Sequence, residues 1–504
     1  MSAIEYNDYS RDRAGWFFGL TGMQLALVIL GGLPDLLALN SHAWLLFAAW
    51  LPVWALVILL VAVPMRGRSA ARWVYDLAMY ALGGVMGWTR WQSKVAAGTV
   101  SDLNEADLPG VLAGVRMHDG PPYGHTMVRP AIVQNTSERT WAAVARIVHP
   151  GIGLAQPEER ERMGAGLAEL TEVAARTELI DLVAVQVRTV PDDGAQRADW
   201  VKKHRRVDAP ALSQQANEQL SVSLNSAAVQ NEAFVTVVVS EDRIARSAKE
   251  SGGGVDGRAR VLYTAIGEIE SRLKGPIGCE SVTWLDSPAL AVAIRTGFAP
   301  GDRASLVAAT IAAEDDPGVA TGVPMAAAGP SQAHTEIRHY NHDAWTSVTD
   351  TIILPDQGAI LGALAPVFVP SSPGERRTVT IFFPVMSQQS ADKLVGREEM
   401  SAIVGSELRR KSGRLERAKQ RRANQRVADM DTKLAKGRAL VRPCAAASIT
   451  VPNHWPIPEY GRRLDASIRM AGFTPQRLDL AQDSGFAAAA IPLGIGLPRR
   501  RGRR

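Results

Sequence analysis

Two long apolar runs near the start of this 504-residue chain constrain its fold more than any other feature. The first extends from about Trp16 to Leu33, and the second from about Ala43 to Met65. Both approach the roughly 20 apolar residues that a helix needs to cross the hydrocarbon core of a bilayer. We therefore predict an N-terminal two-helix transmembrane hairpin, followed by a large body that carries no comparable run.

The charges that flank the runs predict the orientation of the hairpin. Arg11 and Arg13 precede the first run, and arginines within Arg66–Arg72 follow the second, whereas the connection at Asn40–His42 has no Lys or Arg. Positive residues tend to remain on the cytoplasmic side of a membrane. We therefore predict a multi-pass cell-membrane protein with both termini in the cytoplasm. A signal peptide explains the first run less well, because the second run follows so closely.

An aromatic segment from Trp73 to Trp91 follows the hairpin and is bracketed by Arg72, Arg90 and Lys94. The pattern is typical of a helix that lies along the inner leaflet. Packing of this segment against the body is the alternative. Asp76 interrupts the segment and disfavours a third membrane crossing.

Alternating strand and helix patterns predict an α+β body. Strands are expected at Trp141–Val148, at Leu182–Val190, from Phe234 and at Cys279–Leu285, and helices at Glu158–Thr177, Ala209–Val229 and Val261–Leu273. This order resembles a ferredoxin-like βαββαβ unit with an extra helix between its middle strands. Further strands are expected at Ser347–Leu354, Val379–Phe383 and Ala446–Val451, with a long basic helix at Arg397–Arg438.

These patterns predict the domain organisation. A hairpin and interfacial segment at 1–98 precedes a first α+β lobe at 99–314. A Pro-, Gly- and Ala-rich linker at 315–335 then leads to a second α+β lobe at 336–504, which carries the long basic helix and a basic tail. The predicted fold class is therefore α+β, with two ferredoxin-like-type lobes behind the hairpin. Domains of roughly 100–200 residues are consistent with this division.

Positive charge is concentrated in the long basic helix. We expect this helix to bind DNA phosphates or anionic inner-leaflet lipids. The alternative is a solvated helix whose charges pair within the helix, for example with Glu416. The candidate contact residues are Arg409, Arg410, Lys411, Arg414, Arg417, Lys419, Arg421, Arg422 and Arg426.

Motifs for catalysis, cofactors or metals do not stand out. The chain has no G-x-x-x-x-G-K-[ST] phosphate loop, and Gly252–Gly254 is better explained as a flexible loop than as a phosphate cradle. His339 and His342 have the i, i+3 spacing of metal ligands on one helix, but no third ligand is near in sequence. Cys279 and Cys444 are too far apart in sequence for a Cys-type zinc site or a disulfide framework. We therefore predict a protein that is not an enzyme and has no catalytic, cofactor or metal site.

The N-terminal region resembles a known family. The hairpin, the Arg66–Ser69 stretch and the aromatic segment are similar to PrgI-like membrane proteins of Gram-positive type IV secretion and conjugation systems. The body resembles the N-terminal, non-motor part of VirB-type conjugation ATPases. The similar stretches are Trp141–Leu170, Leu182–Val190, Phe234–Ser240, Ala447–Phe473 and Phe486–Arg500.

The resemblance implies a fusion that lacks the motor's phosphate loop. We therefore expect a non-catalytic, membrane-anchored subunit of a type IV secretion or conjugative DNA-transfer apparatus, which docks a separate motor ATPase and other membrane subunits in an oligomeric complex. The Ala-, Arg- and Gly-rich composition suits an actinobacterial cluster of this kind. The alternatives are a type VII secretion core component of the EccE kind and a membrane-tethered nucleic-acid-binding protein.

Overall fold

The structure is a computed structural model of the chain. It describes residues 5–6, 22–62, 64–65, 68–125, 127–153, 155–191, 195–206, 208–227, 229–355, 359–360, 362–386, 391–396, 400, 432 and 441–497. The chain divides into two compact units. One comprises Ser10–Thr89 and Asp392–Lys433, and the other comprises Met1–Tyr9, Arg90–Ala391 and Leu434–Arg504. The first unit contains the predicted hairpin and the second contains an extended β-sheet.

Helices and antiparallel strands alternate along the described residues. The strands are β1 (Glu5–Tyr6), β2 (Pro64–Met65), β3 (Arg68–Ser69), β4 (Arg90–Gln92), β5 (Val115–Asp119), β6 (Ala131–Asn135), β7 (Thr140–Val148), β8 (Ile180–Pro191), β9 (Val229–Ser240), β10 (Ser281–Trp284), β11 (Gln332–Thr335), β12 (Tyr340–His342), β13 (Trp345–Ile353), β14 (Ala359–Ile360), β15 (Arg376–Pro384), β16 (Cys444–Pro452) and β17 (Thr474–Arg477). The helices are α1 (Gly22–Asn40), α2 (Trp44–Ala62), α3 (Ala70–Met86), α4 (Pro157–Arg176), α5 (Ala195–His204), α6 (Ala211–Ala227), α7 (Glu241–Glu250), α8 (Gly254–Arg272), α9 (Ser287–Phe298), α10 (Asp302–Asp315), α11 (Ala365–Phe368), α12 (Ile457–Met470) and α13 (Gln482–Ala490).

Both apolar runs form helices, and a tight turn joins α1 to α2. The turn closes with a hydrogen bond from the Ala43 amide to the Ala38 carbonyl at 2.9 Å. α1 continues through Pro34 to Asn40, beyond the predicted end of the first run. A proline removes one backbone donor, but packing against a neighbouring helix can keep the remaining turns in place.

Two tryptophans of α2 hold the helices of this hairpin together. The indole N–H of Trp54 donates to the Val28 carbonyl at 2.9 Å, and that of Trp50 donates to the Gly31 carbonyl at 3.1 Å. A Cβ atom at Gly32 would lie 2.9 Å from the Trp54 ring. The absence of a side chain at Gly32 therefore lets the Trp54 ring approach the α1 backbone.

A continuous antiparallel sheet of thirteen described strands forms the other unit. Its order is β4-β11-β12-β13-β16-β15-β8-β9-β7-β6-β5, with β10 also paired to β7 and β17 also paired to β13. Within it, β10-β7-β9-β8 and β17-β13-β16-β15 have the same order. If the four strands of each set are numbered in chain order, their order across the sheet is 4-1-3-2. The two sets meet where β8 pairs with β15, from Leu182 opposite Pro384 to Arg188 opposite Thr378.

Helices cover both faces of this sheet. Residues of α4, α7 and α8 form a buried cluster with β7, β8 and β9 on one face, and α12 packs with β13, β15 and β16 in a second cluster. α9 and α13 form a third cluster, which includes residues of β7, β8, β9, β15 and β16. In β8, Leu182 belongs to the α9 and α13 cluster, whereas Val183 belongs to the α4 and α8 cluster. This alternation follows from the two-residue period of a strand.

The apolar alternation predicted most of the central strands correctly. The strands expected at Trp141–Val148 and Leu182–Val190 are confirmed as parts of β7 and β8, and the strand expected at Ala446–Val451 is confirmed within β16. Part of the predicted linker is packed, since Met325 and Ala326 are buried. Of the predicted long basic helix, the structure describes only residues 400 and 432, so this helix and the division into two lobes stay predictions.

Gly257 tests the close packing between α7 and α8. A Cβ at this position would lie 2.3 Å from the Ala248 carbonyl oxygen, so Gly257→Ala forces the two helices apart. We expect the free energy of unfolding to fall by about 1–3 kcal/mol, as for other overpacked sites. Urea titrations of the full chain in detergent measure this change. Gly275→Ala is the control because nothing lies within 4 Å of its Cβ position, and an equal effect of both substitutions would contradict the packing argument.

Candidate functional site

The predicted basic contact residues, from Arg409 to Arg426, all lie outside the described residues. The described part of the chain instead has two features with distinct physical chemistry. One is the apolar surface of α1, α2 and α3. The other is a group of buried charged side chains at the junction of β8 and β15.

One helix in the described part of the chain is long and apolar enough to cross a membrane. It is the segment Trp44–Val61 of α2, identified by length and composition. Ala26–Asn40 in α1 is also apolar but shorter. Large side chains of α2, such as Leu45 and Leu46, are strongly exposed. An exposed apolar surface of this size is typical of contact with lipid or with another protein.

Asp35 is a polar residue on the buried side of α1. This residue is only 5% exposed, and neither carboxylate oxygen has a hydrogen-bond partner among the described residues. Gly32 and Ala38 lie on the same side of the helix and are also buried. A carboxyl group is costly in such surroundings, and in membrane helices ionisable residues often mark functional positions.

The junction of β8 and β15 holds the C-terminal ends of α9 and α13. Arg188 on β8 donates to the Ala293 carbonyl at 2.9 Å and to the Thr296 hydroxyl at 2.8 Å. Arg376 on β15 donates to the carbonyls of Thr296 and Gly297. The last carbonyls of a helix have no partner within the helix and carry partial negative charge. Arg376 therefore satisfies terminal carbonyls of α9, and Arg188 adds a second positive charge close to the same helix end.

A neighbouring pair on the same strands binds the end of α13. Gln186 and Thr380 are directly opposite each other in the ladder. Both donate to the Ala489 carbonyl, at 3.0 Å from the amide nitrogen of Gln186 and 2.7 Å from the hydroxyl of Thr380. Polar side chains on this face of the sheet thus bind α9, which follows β10, and α13, which follows β17.

Glu232 is the acidic partner in this cluster. Its carboxylate accepts a hydrogen bond from Arg188 at 2.5 Å and lies 3.5 Å from Arg303. Burial opposes its ionisation, but the charge and hydrogen bond of Arg188, with the charges of Arg376 and Arg146, outweigh burial and lower the pKa of Glu232 to about 2. Glu232 is therefore a carboxylate at neutral pH.

The two buried arginines differ in how well they are partnered. Burial lowers the pKa of Arg188, and Glu232 opposes this effect. Burial lowers the pKa of Arg376 further, and the nearby charge of Arg188 adds to the shift. In the part of the chain that the structure describes, Nε and Nη2 of Arg376 have no hydrogen-bond partner. Arg188 is consequently the better satisfied cation.

His342 adds a neutral polar contact beside the end of α9. Its Nδ1 is 2.6 Å from the Phe298 carbonyl oxygen and its Nε2 is 2.8 Å from the Ser347 hydroxyl. Burial lowers the pKa of His342 to about 3, so a neutral ring donates from Nδ1 and accepts at Nε2. The helical metal spacing considered for His339 and His342 is wrong, because Tyr340–His342 is strand β12.

The glycine run at Gly252–Gly254 forms a turn between α7 and α8. All three glycines have positive φ angles, of 111°, 70° and 61°, which glycine adopts without steric cost. A cleft of about 380 Å³ lies beside this turn. Its two arginines are already paired, Arg258 with Glu241 and Arg139 with Asp242. The expectation of a loop at this position is confirmed.

Sequence analysis missed the buried cluster, although β8 contains a signal for it. Gln186 and Arg188 occupy the same face as Leu182 and Ala184 in a strand that is otherwise rich in valine. Polar residues at core-facing positions require buried partners. The partners come from helices about 100 to 300 positions further along the chain, and local spacing does not identify them.

Arg188 and Arg376 should differ in their contribution to stability. Arg188→Met leaves the Glu232 carboxylate without its closest cation, and we expect a loss of about 3–5 kcal/mol, as for other broken buried ion pairs. Arg376→Met removes a poorly paired charge but leaves the Thr296 and Gly297 carbonyls without their donor, so we expect a smaller loss of about 1–3 kcal/mol. Urea titrations of the full chain measure both changes. Adding Glu232→Gln to Arg188→Met should recover part of the loss, and equal losses for the two arginine variants would refute the distinction.

His342 should make the stability depend on pH. Its folded pKa of about 3 lies below the unfolded value of 6.5, so the unfolded chain binds more protons as the pH falls through this interval. Stability is therefore complete above pH 6.5 and decreases below it, by up to about 1.4 kcal/mol per pH unit. Unfolding titrations between about pH 6.5 and 5, where most carboxylates stay ionised, measure the slope. His342→Gln should flatten it, and an unchanged slope would disprove this role.

The described residues thus supply an exposed apolar helix and a sheet with a buried group of polar and charged side chains. Groups of His, Cys, Asp or Glu that could hold a metal ion do not occur among them. Comparison with known protein families and with curated proteins finds no match to this chain.

Proposed function

We propose that this chain is a membrane-anchored, non-catalytic subunit of a type IV secretion or conjugative DNA-transfer apparatus, which docks a separate motor ATPase. The observation that carries the membrane part of the proposal is α2, an apolar helix whose surface is almost entirely exposed. Water would order around such a surface at a high free-energy cost, whereas acyl chains would solvate it.

The multi-pass arrangement belongs to the same proposal. α1 and α2 are antiparallel neighbours with only Ser41, His42 and Ala43 between them. If α2 spans the bilayer, α1 crosses it beside α2, and both ends of the hairpin emerge on one side. Arginines precede and follow the hairpin in the sequence, and this distribution supports the proposal that both ends lie in the cytoplasm.

The repeated strand order supports the docking part of the proposal. We infer that β10-β7-β9-β8 and β17-β13-β16-β15 are two ferredoxin-like units, since each follows the order of a βαββαβ motif. Two such lobes are what the resemblance to the non-motor part of conjugation ATPases implies. The specific identification as a secretion or conjugation subunit depends on that resemblance.

One observation favours the EccE-like alternative. The two sets of strands share a single continuous sheet through β8 and β15, and a single body behind two membrane helices is what that alternative implies. The two functions differ in the motor that the protein binds. A VirB-type ATPase encoded beside this chain should co-purify with it from membranes under the first proposal but not under the second.

The membrane part is tested by charging the exposed surface of α2. Val53→Arg together with Leu56→Arg places two cations on the middle part of this surface, at about 3 kcal/mol each near the centre of a membrane helix. We expect the variant to lose its resistance to alkaline carbonate extraction from bacterial membranes. Met470→Arg on the exposed surface of α12 is the control and should remain in the membrane fraction. Equal extraction of the wild-type chain would disprove the anchor.

The docking part is tested with the purified full chain and the neighbouring ATPase. We expect a stable complex and no ATP hydrolysis by the chain alone. Robust hydrolysis by the chain alone would overturn the non-catalytic proposal. Failure to bind the ATPase, with carbonate-resistant anchoring retained, would overturn docking only.

A further inference from the structure

α3 presents most of its large aliphatic residues outward and its one acidic residue inward. Val85 is 87% exposed and Val74 is 61% exposed, whereas the side chain of Asp76 is only 14% exposed. A helix of a water-soluble protein normally has the opposite arrangement. The environment that covers the outer face of α3 is therefore not water.

The apolar residues of α3 form one broad face. At 3.6 residues per turn, Val74, Ala78, Leu82 and Val85 fall within about a quarter of the helix circumference. Tyr75 continues this face on one side and is also strongly exposed. The opposite side carries Trp73, Asp76, Tyr80 and Gly83, which are partly or fully buried.

The residues around the face match the chemistry of a membrane surface. Arg72 lies at its border, is 64% exposed and forms an ion pair with Asp76 at 2.9 Å. Trp88, just beyond the helix, is exposed. Tryptophan and tyrosine prefer the headgroup layer, and arginine is attracted to anionic lipids. An apolar protein groove would match the face itself but not this basic and aromatic border.

Position in the chain also favours lipid. α3 follows α2 after the short hairpin of β2 and β3, and α2 and α3 belong to the same compact unit. If α2 crosses the bilayer, its C-terminal end lies at the membrane surface, and α3 begins close to that surface. The Arg72–Asp76 ion pair within α3 disfavours a spanning orientation, because charges are costly in the hydrocarbon core.

We propose that α3 lies in the plane of an anionic phospholipid leaflet, with the face of Val74, Ala78, Leu82 and Val85 against the acyl chains. This inference rests on the proposed membrane anchoring by α2 and adds a second, in-plane contact. It assigns the face to lipid and not to a second copy of the chain or to a partner protein. Anionic headgroups would occupy the arginine border of the helix.

The test uses the full chain in nanodiscs of phosphatidylcholine with phosphatidylglycerol. A diazirine reagent that partitions into acyl chains is photolysed, and the sites of carbene insertion are mapped by mass spectrometry. We expect labelling of α2, and labelling of α3 at Val74, Leu82 and Val85 but not on the side of Asp76 and Tyr80. In phosphatidylcholine alone, labelling of α3 should fall about fivefold, the effect expected for the single cation of Arg72, while labelling of α2 stays constant.

Val85→Glu places a charge on the apolar face and should abolish labelling of α3 without changing that of α2. Gly84→Glu is the matched control, because it adds the same charge at the adjacent position, where nothing lies within 4 Å of the Cβ site. It should retain labelling. Equal effects of both variants would overturn the assignment of this face to lipid.

The remaining outcomes separate the two proposals. Labelled α2 with unlabelled α3 overturns the inference about α3 and leaves the anchor intact. Labelling around the whole circumference of α3 also overturns it, because a spanning helix contacts lipid on all sides. A dimer in native mass spectrometry that Val85→Glu dissociates would assign the face to a second copy instead. Absence of labelling from both helices would contradict the membrane anchor itself.

Discussion

The pairing of β8 with β15 is the constraint on which the larger unit depends. Without it, each set of four strands would present an open edge of unpaired N–H and C=O groups, which promotes aggregation. The ladder aligns Gln186 with Thr380 and Arg188 with Thr378. These positions face α9 and α13, so the register decides which helix carbonyls the polar side chains reach. A slip by one residue would turn Arg188 towards the α4 and α8 cluster, where no carbonyl of α9 is available.

The charges at this junction are compatible with burial because they meet helix ends. A guanidinium group loses most of its hydration there, and Glu232 alone does not balance both Arg188 and Arg376. The partial negative charge at the C-terminus of α9 supplies part of the compensation. His342 remains neutral beside it and adds a hydrogen bond without adding a further charge. Polar contacts in this core therefore specify where α9 and α13 end on the sheet, while apolar packing supplies most of the stability.

Local sequence patterns predicted elements more reliably than long-range contacts. The valine alternation of β8 and β9 has the two-residue period of a strand, and the apolar residues of α1 and α2 form continuous runs. A short window of the sequence contains either signal. The pairing of β8 with β15 joins residues almost 200 positions apart, and no local signal encodes it. β5 and β6, with only five residues each, and α9, which ends on the arginines of two distant strands, were not predicted for the same reason. The predicted basic contacts at Arg409–Arg426 stay a prediction, since they lie outside the described residues.

The two units place their apolar side chains in opposite ways. In the sheet, helices cover both faces, and residues such as Phe234 and Phe486 are completely buried. In the hairpin and α3, leucine and valine side chains remain exposed, and the buried positions include Asp35 and Gly32. The same hydrophobic effect drives both arrangements if the hairpin unit is solvated by acyl chains and the sheet unit by water. Buried Asp35 in the hairpin then corresponds to buried Arg188 and Arg376 in the sheet. In each unit, the buried polar groups lie between two parts that pack in one register.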